Sequence, residues 1–161
     1  MRTYKLDKAL ESVDLASLEA TADDSNAAVL RVKSLVEANQ KFWEAVVTGA
    51  KGLTAKEELK NGDEVIGEVV EVDDNKAIVK FEGRNQTVPF KTPEKAAAKL
   101  CILLAEKSLG PGSPQANLCV GAYLMSAPAP NADRELARTK LHGAEANAAA
   151  PLLAELDAQA N

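Results

Sequence analysis

The chain has 161 residues, 46% hydrophobic and 27% charged, the balance of an ordinary globular protein long enough to bury its own core. Its formal net charge of −5, without any lysine or arginine run, argues against a dedicated polyanion binder, which needs clustered cations to neutralise phosphates. No apolar run is long enough to span a bilayer, and Arg2-Thr3-Tyr4-Lys5 leads into polar residues rather than the apolar segment of a secretory leader.

Aromatic residues make up only 4% of the chain, so aliphatic side chains and alanine must fill its interior. Residues 4–22 place Leu6, Leu10 and Val13, then Leu15 and Leu18, at helical spacing, with Asp14 as a cap between two short helices. Asp23-Asp24-Ser25 breaks that pattern. From Asn26 to about Ala50 the periodicity predicts a long helix, its stripe running through Val29, Val32, Val36, Trp43, Val46, Val47 and Ala50, flanked by Leu35 and Phe42. Trp43 reads as the anchor of this helix in the core, and Gly49 and Gly52 end it.

The stretch from Leu59 to Phe90 changes period from 3.6 to 2. Val65, Ile66, Val69, Val70 and Val72 are β-branched and suit a pleated, half-buried surface. Asp73-Asp74-Asn75-Lys76 supplies a hairpin turn with Asn75 able to take positive φ, Ala77, Val79 and Phe81 alternate beyond it, and Gly83 marks a second turn before Gln86, Val88 and Phe90. Three strands in an antiparallel meander follow. Glu68 and Glu71 fall on opposite faces, so a bulge at Gly67 is expected, and Pro89 marks an edge strand. Val69, Val79, Phe81, Val88 and Phe90 are expected to bury against Trp43 and Leu103.

Thr92-Pro93-Glu94 combines a cap, a first-turn proline and an early acid, which predicts a helix to about Lys107. Gly110-Pro111-Gly112 stops it. Ser113-Pro114 repeats the device for a helix through Met125. Asn131 is expected to cap the next, which Gly143 ends, and 148–158 forms the last. Cys101 and Cys119, each among apolar neighbours, read as buried thiols.

Chemistry-bearing patterns are few. His142 is the only histidine, placed to meet a helix C-terminal dipole, and two separated cysteines do not complete a zinc site around it. Gly110-Pro111-Gly112-Ser113 lacks the lysine of a phosphate-binding loop and follows a helix, and Asp73-Asp74-Asn75 lacks the glycine and distal glutamate of a calcium loop. Glu64, Glu68 and Glu71 are the carboxylates an acid–base enzyme would use, and they read as a solvated strand exterior. A nucleic-acid surface would need Lys33, Lys41, Lys80, Arg84 and Lys91 on one face. No catalytic, cofactor or metal residue is assigned.

The run Gly62-Asp63-Glu64-Val65-Ile66-Gly67-Glu68-Val69-Val70-Glu71-Val72 resembles the opening of S1-type RNA-binding domains and, with the hairpin after it, SH3-like barrels of the KOW type, over 58–90. That resemblance implies a small coiled barrel with an aromatic stacking residue, a role only Phe81 could fill. Over 117–156, Gly121, Ala137, Leu141, Ala144 and Pro151 resemble a tetratricopeptide or Sel1-like helix pair.

The expectation is therefore an α+β domain spanning 1–161, with N-terminal helices in 1–53, an SH3-like coiled antiparallel sheet of three to five strands in 54–92, and helices in 93–161, about five to six helices in all. The function expected is a non-catalytic interaction or structural module, alone or within a larger protein, with a protein rather than nucleic acid or membrane as partner. As it stands the chain reads as soluble, and as cytoplasmic if full-length.

Overall fold

A computed structural model describes residues 23–128 and 131–159, so the expectations for residues 4–22 lie outside the described residues. Among the described residues the chain is α+β, with five α-helices and one open four-stranded antiparallel sheet. None of these helices is long and apolar enough to cross a membrane.

Helix α1 (Asp23–Lys51) is followed by strands β1 (Glu58–Asn61), β2 (Glu64–Val72), β3 (Lys76–Phe81) and β4 (Arg84–Pro89). A 3₁₀ turn (Pro93–Lys95) precedes α2 (Ala98–Leu109), α3 (Pro114–Ser126), α4 (Arg134–His142) and α5 (Ala146–Ala158). Two compact units result, one of residues up to Phe42 together with 112–161, the other of residues 43–111. Their borders follow spatial contact, whereas the divisions at 53/54 and 92/93 followed the change of periodicity.

In the unit of residues 43–111, the strands pair in chain order, β1-β2-β3-β4, leaving β1 and β4 as edges. Pro89 lies on the edge, where its missing N–H costs no ladder bond. The β1 strand came as an addition to the expected meander: only Leu59 of its four residues is buried, so it shows no alternation. β2 is irregular on either side of Gly67. Opposite β1, Leu59 faces Gly67 and Lys60 faces Val65, which makes Ile66 an extra residue. Opposite β3, Val69 faces Val79 and Glu71 faces Ile78, which makes Val70 extra and leaves it 50% exposed. Gly67 serves close approach, because a Cβ there would lie 2.8 Å from the Lys80 carbonyl oxygen.

The β2–β3 turn differs from expectation. Asn75 is not at positive φ, because the Asp73 carboxylate accepts from the backbone N–H groups of Asn75 (2.7 Å) and Lys76 (2.9 Å) and closes the turn without it. Between β3 and β4, Glu82 (φ +49°) and Gly83 (φ +79°) form a two-residue turn with both centres left-handed. A glutamate there costs about 1–2 kcal/mol of backbone strain.

Val69, Val79, Phe81 and Val88 are buried as expected, but Phe90, Trp43 and Leu103 are only half-buried. In α1 the buried positions are Ala38, Asn39, Phe42, Ala45, Val46 and Ala50, while Val32 is 39% exposed. The stripe is rotated from the expected one, and Phe42 rather than Trp43 is fully buried. Val46 and Ala50 are buried as expected, but alanines 38 and 45 also mark this face, and hydrophobicity scales that favour valine and tryptophan pass over them. The helix also runs through Asp23-Asp24-Ser25, where a break was expected; acids near a helix N-terminus oppose no dipole.

The second helix of that unit starts late. Thr92 makes no side-chain cap bond, and Pro93–Lys95 closes only a 3₁₀ turn before Ala97 redirects the chain. Leu100, Cys101, Leu104 and Ala105 form the buried face of α2. At the end of α1, Gly49 lies so close to this helix that a Cβ on it would sit 2.1 Å from the Leu104 carbonyl oxygen.

A single side-chain lock ties the entry of β1 to α2. Lys56 (φ +68°) and the Glu57-to-Thr54 backbone bond (3.0 Å) make a turn in which the Glu57 carboxylate accepts from the Thr54 N–H (2.9 Å) and hydroxyl (3.2 Å) and from the Lys107 ammonium. The Lys107 hydrogen bond, ahead of the Thr54 bonds, holds the Glu57 carboxyl below its ordinary value against the opposing effect of burial. A lowered folded-state pKa stabilises the fold above the unfolded glutamate pKa, and that increment is lost as pH falls through the folded value. Lys107→Met should therefore lose less stability than the parent on acidification from about pH 5 downward, by under about 1 kcal/mol for a pair this near the surface. Parallel slopes of urea midpoint against pH for the two proteins would count against the lock.

In the other unit, α3 and α4 form an antiparallel pair. A Cβ on Gly121 would meet Leu141 at 2.8 Å, and Asn117 Nδ2 donates to the Gly143 carbonyl at 3.0 Å. Ser113 caps α3 as expected, accepting from the Ala116 N–H (3.1 Å). Asp133, not Asn131, caps α4, accepting from the Leu136 N–H (2.9 Å); the carboxylate two residues nearer the helix meets its dipole. α1 joins this pair through Asn39, whose Nδ2 donates to the carbonyls of Leu35 (3.0 Å) and Ala122 (3.3 Å) and whose Oδ1 accepts from the Ser126 hydroxyl (3.0 Å). Every polar atom of that buried amide is thereby satisfied. Phe42 stacks on Tyr123, with ring centres 4.2 Å apart. Pro151 lies inside α5, where it leaves the Asn147 carbonyl without its helical donor.

Neither cysteine forms a disulfide, and both are buried. Burial, with the negative charge of Glu94 adding to it, pushes the Cys101 thiol up to about 12, so at pH 8 only ~10⁻⁴ of it is thiolate. Both thiols should react with Ellman's reagent no faster than the protein unfolds. Labelling within seconds in native buffer would place one of them at the surface.

Candidate functional site

A concave surface of about 640 Å³ lies in the unit of residues 43–111, between α2 and the β1–β2 hairpin. Helical spacing and a bulge build it. Lys99, Ile102, Leu103 and Glu106 recur at the steps that share one helix face, opposite the buried face of Leu100 and Leu104. On the sheet, a regular strand would turn Val65 and Ile66 to opposite sides. The extra residue at Ile66 interrupts that alternation, and both line the groove. Val65 is 51% exposed, a large apolar side chain left in water beside Ile102 and Leu103.

Acids dominate the rim. Glu64, Glu82 and Glu106 stand against Lys99, and Lys99 is joined to Glu82 at 3.1 Å. The strained turn residue Glu82 is thus held at the rim facing α2. A smaller hollow of about 380 Å³ continues the groove past Asn61, Leu103 and Glu106, which line both. It is lined by five successive residues, Glu58 to Gly62, and by Lys107 and Pro111 beyond α2's shared face. Successive residues point to alternate sides of a strand, so a hollow touching all of them runs along the strand's edge. In β1 that edge is the one opposite β2.

Of the residues considered from sequence, Glu64 lines this groove, and Glu68 and Glu71 do not. Glu68 pairs with Lys80 across the ladder. Lys33 and Lys41 belong to one unit and Lys80, Arg84 and Lys91 to the other. Phe81 contributes only an edge to the groove, being 4% exposed. His142 is exposed in the last turn of α4. Among the described residues no three or more His, Cys, Asp or Glu side chains gather as a metal would need. Ile102 and Leu103 were missed as site residues, since their periodicity reads as core. Comparison with protein-family models, with curated proteins and with solved structures returned no match.

Proposed function

We propose that this protein is a non-catalytic interaction module whose groove between α2 and the β1–β2 hairpin docks a segment of a partner protein. The observation that carries this reading is an apolar floor of exposed Val65 and half-buried Ile66, Ile102 and Leu103 beneath an acidic rim. Exposed apolar surface framed by polar residues is the signature of an interaction site. The net negative rim favours a partner segment carrying lysine or arginine beside its apolar residues. The reading also takes the coiled sheet as an SH3-like module, for which the two bulges of β2 supply the curvature, and the α3–α4 pair as one tetratricopeptide-like hairpin.

Selection of random peptides on the immobilised protein tests it. Enriched sequences should combine apolar and basic residues. Ile102→Glu should weaken them at least tenfold while leaving the urea midpoint of Trp43 emission within about 0.5 kcal/mol of the parent. No enrichment over unfolded protein, or peptides that the variant retains, would remove the reading. Salt-dependent micromolar binding of single-stranded RNA, lost in Arg84→Ala, would replace it with a nucleic-acid function.

A further inference from the structure

We infer that Asn61 is a site of spontaneous deamidation, where the Gly62 backbone nitrogen displaces ammonia and turns a side-chain amide shared by the two hollows into a carboxylate. Asn61-Gly62 is the sole Asn-Gly pair in the chain. It closes the β1–β2 hairpin: Asn61 faces Glu64 across a two-residue turn in which Gly62 (φ +62°), but not Asp63, is left-handed. Both Asn61 and Gly62 are exposed, and a Cβ on Gly62 would meet nothing within 4 Å, so no neighbour crowds the reacting nitrogen. Among the described residues neither the Gly62 N–H nor the Asn61 side-chain amide has a hydrogen-bond partner. Nucleophile and electrophile thus lie on adjacent residues, and both are free.

The reaction needs only this pair and water. The Gly62 nitrogen gives up its proton and bonds to Asn61 Cγ; the Cγ–Nδ2 bond breaks, and ammonia leaves with the proton. Water then opens the cyclic imide. Attack at Cγ yields aspartate, and attack at the Asn61 backbone carbonyl yields isoaspartate, with the main chain rerouted through the side-chain methylene. Bringing Cγ onto the nitrogen requires Asn61 to rotate out of its strand conformation. That motion breaks the last rung of a four-residue edge strand in which only Leu59 is buried, a low-cost local opening. Other asparagines are held. After Asn75, the Lys76 N–H donates to the Asp73 carboxylate at 2.9 Å. Asn39 and Asn117 lie within helices, and their amides donate to the carbonyls of Ala122 and Gly143.

The product changes the groove. Asn61 lines both hollows beside Glu106, and its cross-strand partner is Glu64. Like charges directly opposite one another destabilise a strand pair, so the new carboxylate loosens the hairpin that frames the groove. A lysine or arginine of a docked segment would offset that repulsion, so the modified groove selects basic segments more strongly. This last effect rests on the docking reading above; the chemistry does not.

The intact chain is incubated in mildly alkaline buffer made with water enriched in heavy oxygen, folded and, in parallel, unfolded in urea. Mass spectrometry of its proteolytic peptides then follows each asparagine. The Asn61 peptide should convert first, taking up heavy oxygen and yielding both aspartate and isoaspartate, at a folded-state rate within about tenfold of the unfolded one. Conversion more than tenfold slower in the folded chain, or no faster at Asn61 than at Asn85, would overturn the site. Asn61→Asp should bind the basic peptides enriched on the parent protein at least threefold more tightly, and equal binding would overturn the charge effect. If no peptide is enriched at all, the docking reading falls and the modification site stands on the mass measurement.

Discussion

Gly49→Ala is expected to destabilise the unit of residues 43–111 by about 2–3 kcal/mol, although alanine is the better helix former. Propensity alone would favour alanine by about 1 kcal/mol inside a helix. The added Cβ would stand 2.1 Å from the Leu104 carbonyl oxygen, and a backbone atom cannot rotate aside as a side chain can. α1 and α2 must separate at this point or α2 must distort, and overpacking of that kind costs about 1–3 kcal/mol beyond any local gain. Gly52→Ala is the internal control. A Cβ there meets nothing closer than 3.5 Å, so a change within about 0.5 kcal/mol is expected. The sole tryptophan, Trp43, lies in this unit and reports its unfolding in urea. Equal midpoints for Gly49→Ala and the parent would mean that the close approach carries no energetic weight.

Phe81→Ala should cost about 3–5 kcal/mol by the same measurement. Phe81 lies on an interior strand, paired with Gly67 of β2 and Arg84 of β4. The absent side chain of Gly67 leaves the space the ring fills, since a Cβ there would lie 3.4 Å from Phe81 Cδ2. Alanine would leave a cavity under the bulged strand, where the backbone is held on both sides and cannot collapse to fill it. A loss below about 1 kcal/mol would mean that the sheet's interior tolerates the void. Peptide binding in the groove should weaken less than it does in Ile102→Glu, because the ring contributes only its edge to the lining.

The sheet was legible because its signals are local. β-branched density, the Gly83 turn and the proline at the edge each act within a few residues, and Val69, Val79, Phe81 and Val88 took the buried side that alternation assigned them. Cap identity was less legible: Asn131 and Asp133 are both good caps, and only the course of the chain decides between them. The core face of α1 went astray because alanines form it, and alanine carries little weight in any periodicity. Asn39 was hidden for a related reason, since a polar residue on a helix reads as solvent-facing until the carbonyl of another helix is brought against it. The groove could not be read at all. It depends on which face α2 presents to the β1–β2 hairpin and on a bulge one residue away from the glycine that announced it.

The two-unit organisation bears on how the chain is made. Residues 43–111 are continuous in sequence, while the helical unit is assembled from stretches on both sides of them. At about 5–20 residues per second, a ribosome delivers the whole sheet unit several seconds before it finishes 112–161. The sheet and α2 can thus form while Phe42 and Asn39 still wait for Tyr123 and Ala122. During that interval the early part of α1 exposes Ala38, Asn39 and Phe42 without partners, and Leu30, 57% exposed even in the finished fold, adds to that unpaired surface. Nascent chains arrested once residue 111 has emerged from the ribosome should therefore engage hydrophobic-binding chaperones through residues 23–42 rather than through the strands.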